Sequence, residues 1–288
     1  MTAAGIPDAV VPPGVPAAPG ALRLRGRTFD AARPAVMAIV NRTTDSFWSG
    51  NRHGDLASAR RALDAAVAAG ADIVDVGGVR AGQEGEVVTA EQEVERVVPF
   101  LARAREDHPD LVLSLDTWRP EVARVAAAEA GLDLVNDTWA GHDRDLVHVA
   151  AHCGAGYVVS HTGGLPPRTD PVGVTYPPEP LGVLVDPTLD FGKTTEHSLT
   201  LLRHTASIVA LGHPVLQALS RKDFVGETLD LPPEDRLEGT LAATAIAAWL
   251  GATVFRAHDV RATRRVVDIV ASIRGDRAPV RAERGVAR

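Results

Sequence analysis

Short apolar runs alternate with longer amphipathic segments along most of this chain. The apolar runs have the length of buried strands, whereas the longer segments are rich in alanine and repeat their apolar positions with helical spacing. This alternation is typical of βα units, in which helices cover a parallel sheet. It predicts eight strands, at 35–40, 72–76, 111–115, 132–136, 157–161, 182–186, 214–218 and 253–257. It predicts helices at 56–69, 91–106, 121–130, 145–152, 198–211, 236–250 and 261–273.

Eight such units favour an α/β fold of the (β/α)8 type, a TIM barrel, whose functional site lies at the C-terminal ends of the strands. An open, doubly wound sheet is the alternative. One connection departs from the pattern, because the 18 residues between Gly164 and Val183 contain six prolines and no helical periodicity. We therefore expect the helix between strands five and six to be missing.

The two ends of the chain lack apolar periodicity. Proline, glycine and alanine dominate residues 1–21, and arginine, alanine and aspartate are frequent in 275–288. We expect both segments to be flexible tails on a single barrel domain at 22–274. Prolines interrupt the first segment and no basic residue precedes its apolar stretch, so neither a signal peptide nor a membrane span is predicted.

Composition narrows the classes of function. The 288 residues carry a net charge of −7 with both signs interspersed, unlike the single-sign basic surface that nucleic-acid binding needs. We expect neither nucleic acid nor a membrane as a partner. Cys153 is the single cysteine, which excludes a disulfide within the chain and favours a cytoplasmic location.

Polar side chains concentrate where the predicted strands end. Parallel strands are buried on both faces and should be apolar throughout, so polar ends indicate one functional rim. Asp116, Asn136 and Asp186 offer carboxylate and amide groups, which suit the donor-rich edge of a flat heterocycle such as an aminopyrimidine.

Three further residues near strand ends are cationic or donate hydrogen bonds, and they suit phosphate: Lys222, Arg256 and His258. The spacing of Arg256 and His258 keeps both on one face of a strand. The rim is therefore predicted to bind a heterocycle that carries phosphate.

The segments that contain these residues resemble those of the dihydropteroate synthase family, and the resemblance spans residues 22–273. The matching segments are VMAIVNRTTDSF, GADIVDVGG, LSLDT, LVNDTWAG, VDPTLDFGKTTEHSL, PVLQALSRKDFVGE, RLEGTLAATA and FRAHDV. The resemblance implies condensation of 6-hydroxymethyl-7,8-dihydropterin diphosphate with 4-aminobenzoate to give 7,8-dihydropteroate and pyrophosphate, a step of folate synthesis. It also implies Mg²⁺ as cofactor and a homodimer.

The resemblance assigns a role to each matching residue. The implied pterin contacts are Asp116, Asn136, Asp186 and Lys222. The implied diphosphate contacts are Asn41, Arg256 and His258, with Asn41 also a ligand of Mg²⁺. Phe191 and Ser220 match the aminobenzoate pocket. The implied catalytic residues, which would act by electrostatic stabilisation, are Asp116, Lys222 and Arg256.

Two loops differ from the family pattern. In the first, Thr44 replaces a proline, and Trp48 and Ser49 replace a Ser-Asp pair. In the second, residues 79–83 lack the serine, threonine and arginine that help to form the aminobenzoate site. These changes resemble a divergent second copy of the enzyme found in some bacteria.

Two main hypotheses follow from these differences. The first is a synthase with rearranged loops. The alternative is a catalytically weak or inactive paralogue that binds a pterin or diphosphate ligand. A pterin-binding methyltransferase barrel is disfavoured, because FRAHDV and SRKDF suit diphosphate release better than a folate tail.

Overall fold

The computed structural model describes residues 20–42, 56–79, 88–139, 141–161 and 182–284. Its strands are β1 (Leu22–Leu24), β2 (Arg27–Phe29), β3 (Ala35–Asn41), β4 (Ile73–Gly77), β5 (Val112–Asp116), β6 (Leu134–Asp137), β7 (Gly156–Ser160), β8 (Val183–Asp186), β9 (Leu216–Ala218) and β10 (Val254–Ala257). Its helices are α1 (Leu56–Ala68), α2 (Ala90–Asp107), α3 (Pro120–Ala130), α4 (Asp145–His152), α5 (Thr195–Arg203), α6 (Thr205–Val209), α7 (Asp223–Leu229), α8 (Leu237–Trp249) and α9 (Val260–Arg274).

Eight of the strands form one parallel sheet, in the order β8-β7-β6-β5-β4-β3-β10-β9. The two edge strands meet through a parallel bridge between Val185 and Val215, and the backbone N–H of Val185 donates to the carbonyl of Pro214 at 2.9 Å. The sheet therefore closes into a barrel with helices outside. This confirms the predicted (β/α)8 class and excludes the open doubly wound sheet.

Side chains alternate between the two faces of the barrel wall, as the period of a strand requires. The outward residues pack against the helices in one large apolar cluster, which includes Val74, Leu113 and Phe255. The inward residues near the start of each strand form a second cluster, which includes Met37, Ile73 and Val112. Because the interior is apolar at the amino end of the barrel, polar inward side chains are confined to the carboxyl end.

An antiparallel hairpin of β1 and β2 plugs the amino end of the barrel. Leu22, Leu24 and Phe29 are buried and belong to the inner apolar cluster. The plug requires a small residue at Gly156, since a Cβ there would lie 2.9 Å from Cδ2 of Leu24. The hairpin was not predicted, because strands of three residues are too short to show a periodic pattern.

Two helical features also differ from the sequence prediction. The helix predicted at 198–211 is two helices, α5 and α6, and the hydroxyl of Thr205 at their junction donates to the carbonyl of Leu202 at 2.8 Å. Such a bond competes with the regular helical ladder. The seven-residue helix α7 was not predicted.

The helix expected to be missing between strands five and six would fall within 162–181, which lies outside the described residues. Among the helices of the described ranges, none combines the length and the apolar character needed to cross a bilayer.

Candidate active site at the carboxyl end of the barrel

Neighbouring strand ends bring three of the predicted residues together. Asn41 pairs with Gly77, Gly77 pairs with Asp116, and Asp116 pairs with Asn136. A Cβ at Gly77 would lie 3.3 Å from Oδ1 of Asn41 and 3.7 Å from Cβ of Asp116, so glycine leaves room for both side chains. The structure thus places Asn41, Asp116 and Asn136 on one side of the rim.

Asp75 lies beneath this row and was not among the predicted site residues. Its side chain is fully buried and accepts hydrogen bonds from Oγ of Ser114 at 2.6 Å, Nδ2 of Asn136 at 3.0 Å and Nε of Arg256 at 2.7 Å. The sequence signal that could have identified Asp75 is a carboxylate in the middle of an otherwise apolar strand, at a position that faces the interior of the barrel. Asp75 therefore fixes the orientation of two predicted ligand contacts, Asn136 and Arg256.

The side-chain amide oxygen of Asn136, Oδ1, is a buried acceptor with no hydrogen-bond partner in the described part of the chain. Its orientation follows from chemistry, because the carboxylate of Asp75 can only accept and therefore selects the amide nitrogen. An unsatisfied buried acceptor costs about 1–3 kcal/mol. This oxygen therefore indicates a donor supplied by a ligand or by water.

Arg256 bridges two carboxylates of the site. Its Nε lies 2.7 Å from Oδ2 of Asp75, and its Nη2 lies 2.9 Å from Oδ2 of Asp116. Burial lowers the pKa of Arg256, but Asp75 and Asp116 outweigh burial and raise it overall. The guanidinium is thus charged at every physiological pH. Its side chain is partly exposed at the opening of the barrel at the carboxyl end of the strands, which we call the mouth.

Asp116 titrates near neutrality. Burial raises the pKa of its carboxyl to about 7; Arg256 opposes the rise, and the negative charge of Asp75 adds to it. Oγ1 of Thr138 donates to Oδ1 of Asp116 at 3.1 Å. A carboxyl with such a pKa can both accept and donate a proton at neutral pH, which is a common property of functional sites.

The opposite side of the mouth contains Asp186 and Lys222. The backbone N–H of Thr188 donates to Oδ1 of Asp186 at 2.7 Å. Burial raises the pKa of Asp186 and lowers that of Lys222, and each charge opposes the shift of the other. Nζ of Lys222 donates to the carbonyl of Leu189 and lies 4.8 Å from the ring centroid of Phe191. The structure therefore brings Asp186, Lys222 and Phe191 together.

A second lysine on this side, Lys193, was not predicted as a site residue. Its Nζ donates to the carbonyls of His161, Thr188 at 2.9 Å and Phe191 at 3.4 Å. Burial lowers the pKa of Lys193 to about 8. These bonds join the loop after β8 to the end of β7, so Lys193 holds the backbone around Asp186.

Ser220 and His258 contact each other, although the resemblance assigns them to different ligands. Oγ of Ser220 accepts from the backbone N–H of His258 at 3.1 Å and lies 3.0 Å from its Nδ1. Burial lowers the pKa of His258 to about 4, and the charge of Arg256 adds to this effect. At neutral pH, His258 is a neutral hydrogen-bonding group rather than a cation.

A protein cage for a metal ion is absent from the described ranges, which hold no group of three or more histidine, cysteine or acidic side chains suited to a metal. Mg²⁺ commonly takes one or two protein oxygens and completes its shell with phosphate and water. The amide oxygen of Asn41 at the rim fits that mode as one ligand. Of the two loops that differ from the family pattern, residues 43–55 and 80–87 lie outside the described residues.

Comparison with known proteins shows the family to which the chain belongs. The model of the family described as "Pterin binding enzyme" matches residues 37–179 and 177–258. "Inactive dihydropteroate synthase 2" of Mycobacterium leprae is 50% identical over 92% of this chain and 99% of its own length. "Dihydropteroate synthase" of Clostridium beijerinckii is 35% identical over 79% of this chain and 90% of its own length.

A solved structure of similar fold is the dihydropteroate synthase of Coxiella burnetii in complex with pteroic acid. It superimposes with a TM-score of 0.77 and 31% identity, and the match covers 89% of this chain and 99% of that one. The family match extends over most of the barrel and includes the strand ends that form the site. The chain is therefore a member of the dihydropteroate synthase family of pterin-binding enzymes.

Proposed function

We propose that this chain binds a dihydropterin diphosphate in the mouth of the barrel, as a catalytically weak or inactive paralogue of dihydropteroate synthase. The unpartnered side-chain oxygen Oδ1 of Asn136 is the observation that carries the proposal. A pterin presents several N–H groups along one edge, and these need acceptors. Asn136 and Asp186 supply acceptors on inward strand positions, and Asp116 lies beside Asn136.

The diphosphate would lie nearer Arg256, His258 and Asn41. Arg256 supplies a fixed positive charge, because Asp75 and Asp116 keep it ionised. His258 supplies a neutral ring held by Ser220. Asn41 would be the protein ligand of Mg²⁺, which neutralises diphosphate charge when bound. Lys222 would contact the pterin from the side of Asp186.

Two observations support weak or absent turnover. The relatives that are 50% identical to this chain are named inactive. The sequence at 79–83 also lacks the residues that the family uses around 4-aminobenzoate. A mouth that binds the pterin tightly but holds the second substrate poorly would retain binding and lose the condensation.

Synthase activity is the second candidate function. The three residues that the resemblance makes catalytic, Asp116, Lys222 and Arg256, are all present at the mouth. In this hypothesis, Asp116 would stabilise positive charge on the pterin as the C–O bond to diphosphate breaks. Arg256 would stabilise the departing diphosphate, and the amine of 4-aminobenzoate would form the new C–N bond and release one proton to water.

Calorimetric titration with 6-hydroxymethyl-7,8-dihydropterin diphosphate in the presence of Mg²⁺ tests the binding. Asn136→Ala removes the acceptor and should weaken binding by about tenfold or more. Gln217→Leu is the matched control, because Gln217 is a buried amide that bonds Thr205 at 3.1 Å on the outer face of the barrel. No measurable binding by the unchanged chain, or equal weakening in both variants, would refute the proposed site.

A pyrophosphate-release assay with 4-aminobenzoate added separates the two candidate functions. Binding without release would support the paralogue. Release that needs both substrates and disappears in Asp116→Ala would instead establish a synthase. The homodimer and the cytoplasmic location stay predictions, which sedimentation analysis and cell fractionation would test.

A further inference from the structure

An open cavity of about 650 Å³ lies at the amino end of the barrel, far from the mouth described above. Its wall comes from β2 and the segment that follows it, the turn before β4, the middle of α9 and the segment after α9. Six charged residues line it, four basic and two acidic: Arg27, Arg33, Arg264, Arg277, Asp72 and Asp268. We call this feature the arginine cavity.

Asp72 is the anchor of the arginine cavity. It is buried, and its carboxylate pairs with Arg27, with Nη1 of Arg264 at 2.9 Å and with Nη2 of Arg33 at 3.7 Å. It also accepts the backbone N–H of Val36 at 3.1 Å. One carboxylate therefore faces three guanidinium groups, and it cannot neutralise all of them.

Asp268 is the second acid of the cavity and is shared by two arginines. Its Oδ1 lies 2.8 Å from Nη2 of Arg264 and 2.7 Å from Nη1 of Arg277. The contact with Arg264 is an ion pair without the alignment of a hydrogen bond, and Nε of Arg264 has no hydrogen-bond partner among the described residues. Four guanidinium groups thus share two carboxylates, which leaves an excess of two positive charges.

Two of the arginines are placed to take an additional partner. The side chain of Arg33 is 62% exposed, and its ion pair with Asp72, at 3.7 Å, is longer than a hydrogen bond. Arg277 follows the end of α9 in the chain; its side chain is 33% exposed and contacts Asp268. Planar guanidinium groups that converge in this way match the paired oxygens of a phosphate group.

We propose that the arginine cavity binds an organic phosphate or diphosphate that carries at least two negative charges. The excess charge sets the sign and the approximate charge of the ligand. The volume is within the range of small-molecule sites, on the order of 300–1,000 Å³, and leaves space for an organic group beside the phosphate. A bound anion would connect the segment after the hairpin plug to the end of α9, so binding should also raise the melting temperature.

Titration with inorganic pyrophosphate in low salt, followed by calorimetry and by the melting temperature, tests this site. Arg33→Gln/Arg277→Gln should weaken pyrophosphate binding at the cavity by about tenfold or more, and should leave binding at the mouth unchanged. Arg277→Lys keeps the charge but loses the fork, so it should weaken binding less. The matched control is Arg60→Gln/Arg103→Gln, which removes two exposed arginines that pair with Asp107 and Glu106.

The control and the unchanged chain should bind pyrophosphate equally, and added salt should weaken both. Pyrophosphate binding of the same stoichiometry and affinity in Arg33→Gln/Arg277→Gln and in the unchanged chain would overturn the proposal, because any binding at the mouth is common to both. Binding lost only in Arg256→Gln would also overturn it, because the anion would then occupy the mouth. The pterin titration does not involve Arg33 or Arg277, so failure of either proposal leaves the other intact.

Discussion

Asp75 offers the sharpest test of how the site is held together. Asp75→Ala removes the partner of Nε of Arg256, which lies 2.7 Å away, and also removes the acceptor of Ser114 and Asn136. Removing one member of a buried ion pair costs about 3–5 kcal/mol. Asp116 still pairs with Arg256, so we expect the free energy of unfolding to fall by the lower part of that range.

Asp75→Asn separates the charge from the hydrogen bonds. Its amide oxygen can accept from Arg256 and Asn136, and its NH₂ can donate to the hydroxyl of Ser114, which can also accept. Only the charge is lost. From the difference in strength between charged and neutral hydrogen bonds, we expect the free energy of unfolding to fall by about 1–2 kcal/mol. Asp75→Asn should therefore be less destabilised than Asp75→Ala.

Equilibrium urea unfolding, followed by tryptophan fluorescence and circular dichroism, measures both variants. Asp107→Asn is the control, because Asp107 forms an ion pair with Arg60 at the surface and its loss should cost less than about 1 kcal/mol. If Asp75→Ala were no less stable than Asp107→Asn, Asp75 would not hold the site. Equal losses in the two Asp75 variants would show that charge, rather than hydrogen bonding, is what matters.

Three further predictions concern pH and packing. Burial raises the pKa of Asp116 from 3.8 to about 7, so the folded state binds this proton more tightly than the unfolded state. The melting temperature of the unchanged chain, compared with that of Asp116→Asn, should therefore fall as pH rises from about 4 through 7. A difference in melting temperature that stays constant over this range would contradict the prediction. The ring of His258, with its pKa lowered to about 4, should stay neutral down to about pH 5 in an NMR titration, and a midpoint near 6.5 would disagree. Gly226→Ala would place a Cβ 2.3 Å from the guanidinium of Arg236 and should cost about 1–3 kcal/mol in urea unfolding, whereas no loss would mean that Arg236 can move freely.

The sequence by itself determined the barrel and most of its rim. Strand and helix periodicity is a local property, so eight apolar runs separated by amphipathic helices were enough to predict eight βα units. The rule that parallel strands are apolar throughout then marked polar strand ends such as Asp116, Asn136 and Asp186. The structure places these side chains at the inward positions and brings Lys222 beside Asp186.

Only the tertiary structure decided which polar residues form the site and which stabilise loops. Asp137 follows Asn136 directly but faces outward, where it accepts from Tyr157 at 2.6 Å and from the backbone N–H of Trp139 at 2.8 Å. Asp75 and Arg256 are 181 residues apart along the chain and form an ion pair because β10 pairs with β3, which pairs with β4.

The arginine cavity depends in the same way on contacts that no local pattern encodes. Asp72 and Arg264 lie 192 residues apart and meet because α9 packs back along the barrel to its amino end. Burial then determines the chemistry: it gives Asp116 a pKa near neutrality and keeps His258 neutral. The residue types were visible in the sequence, but the free energy of their charges depends on solvent and partners that only the closed barrel defines.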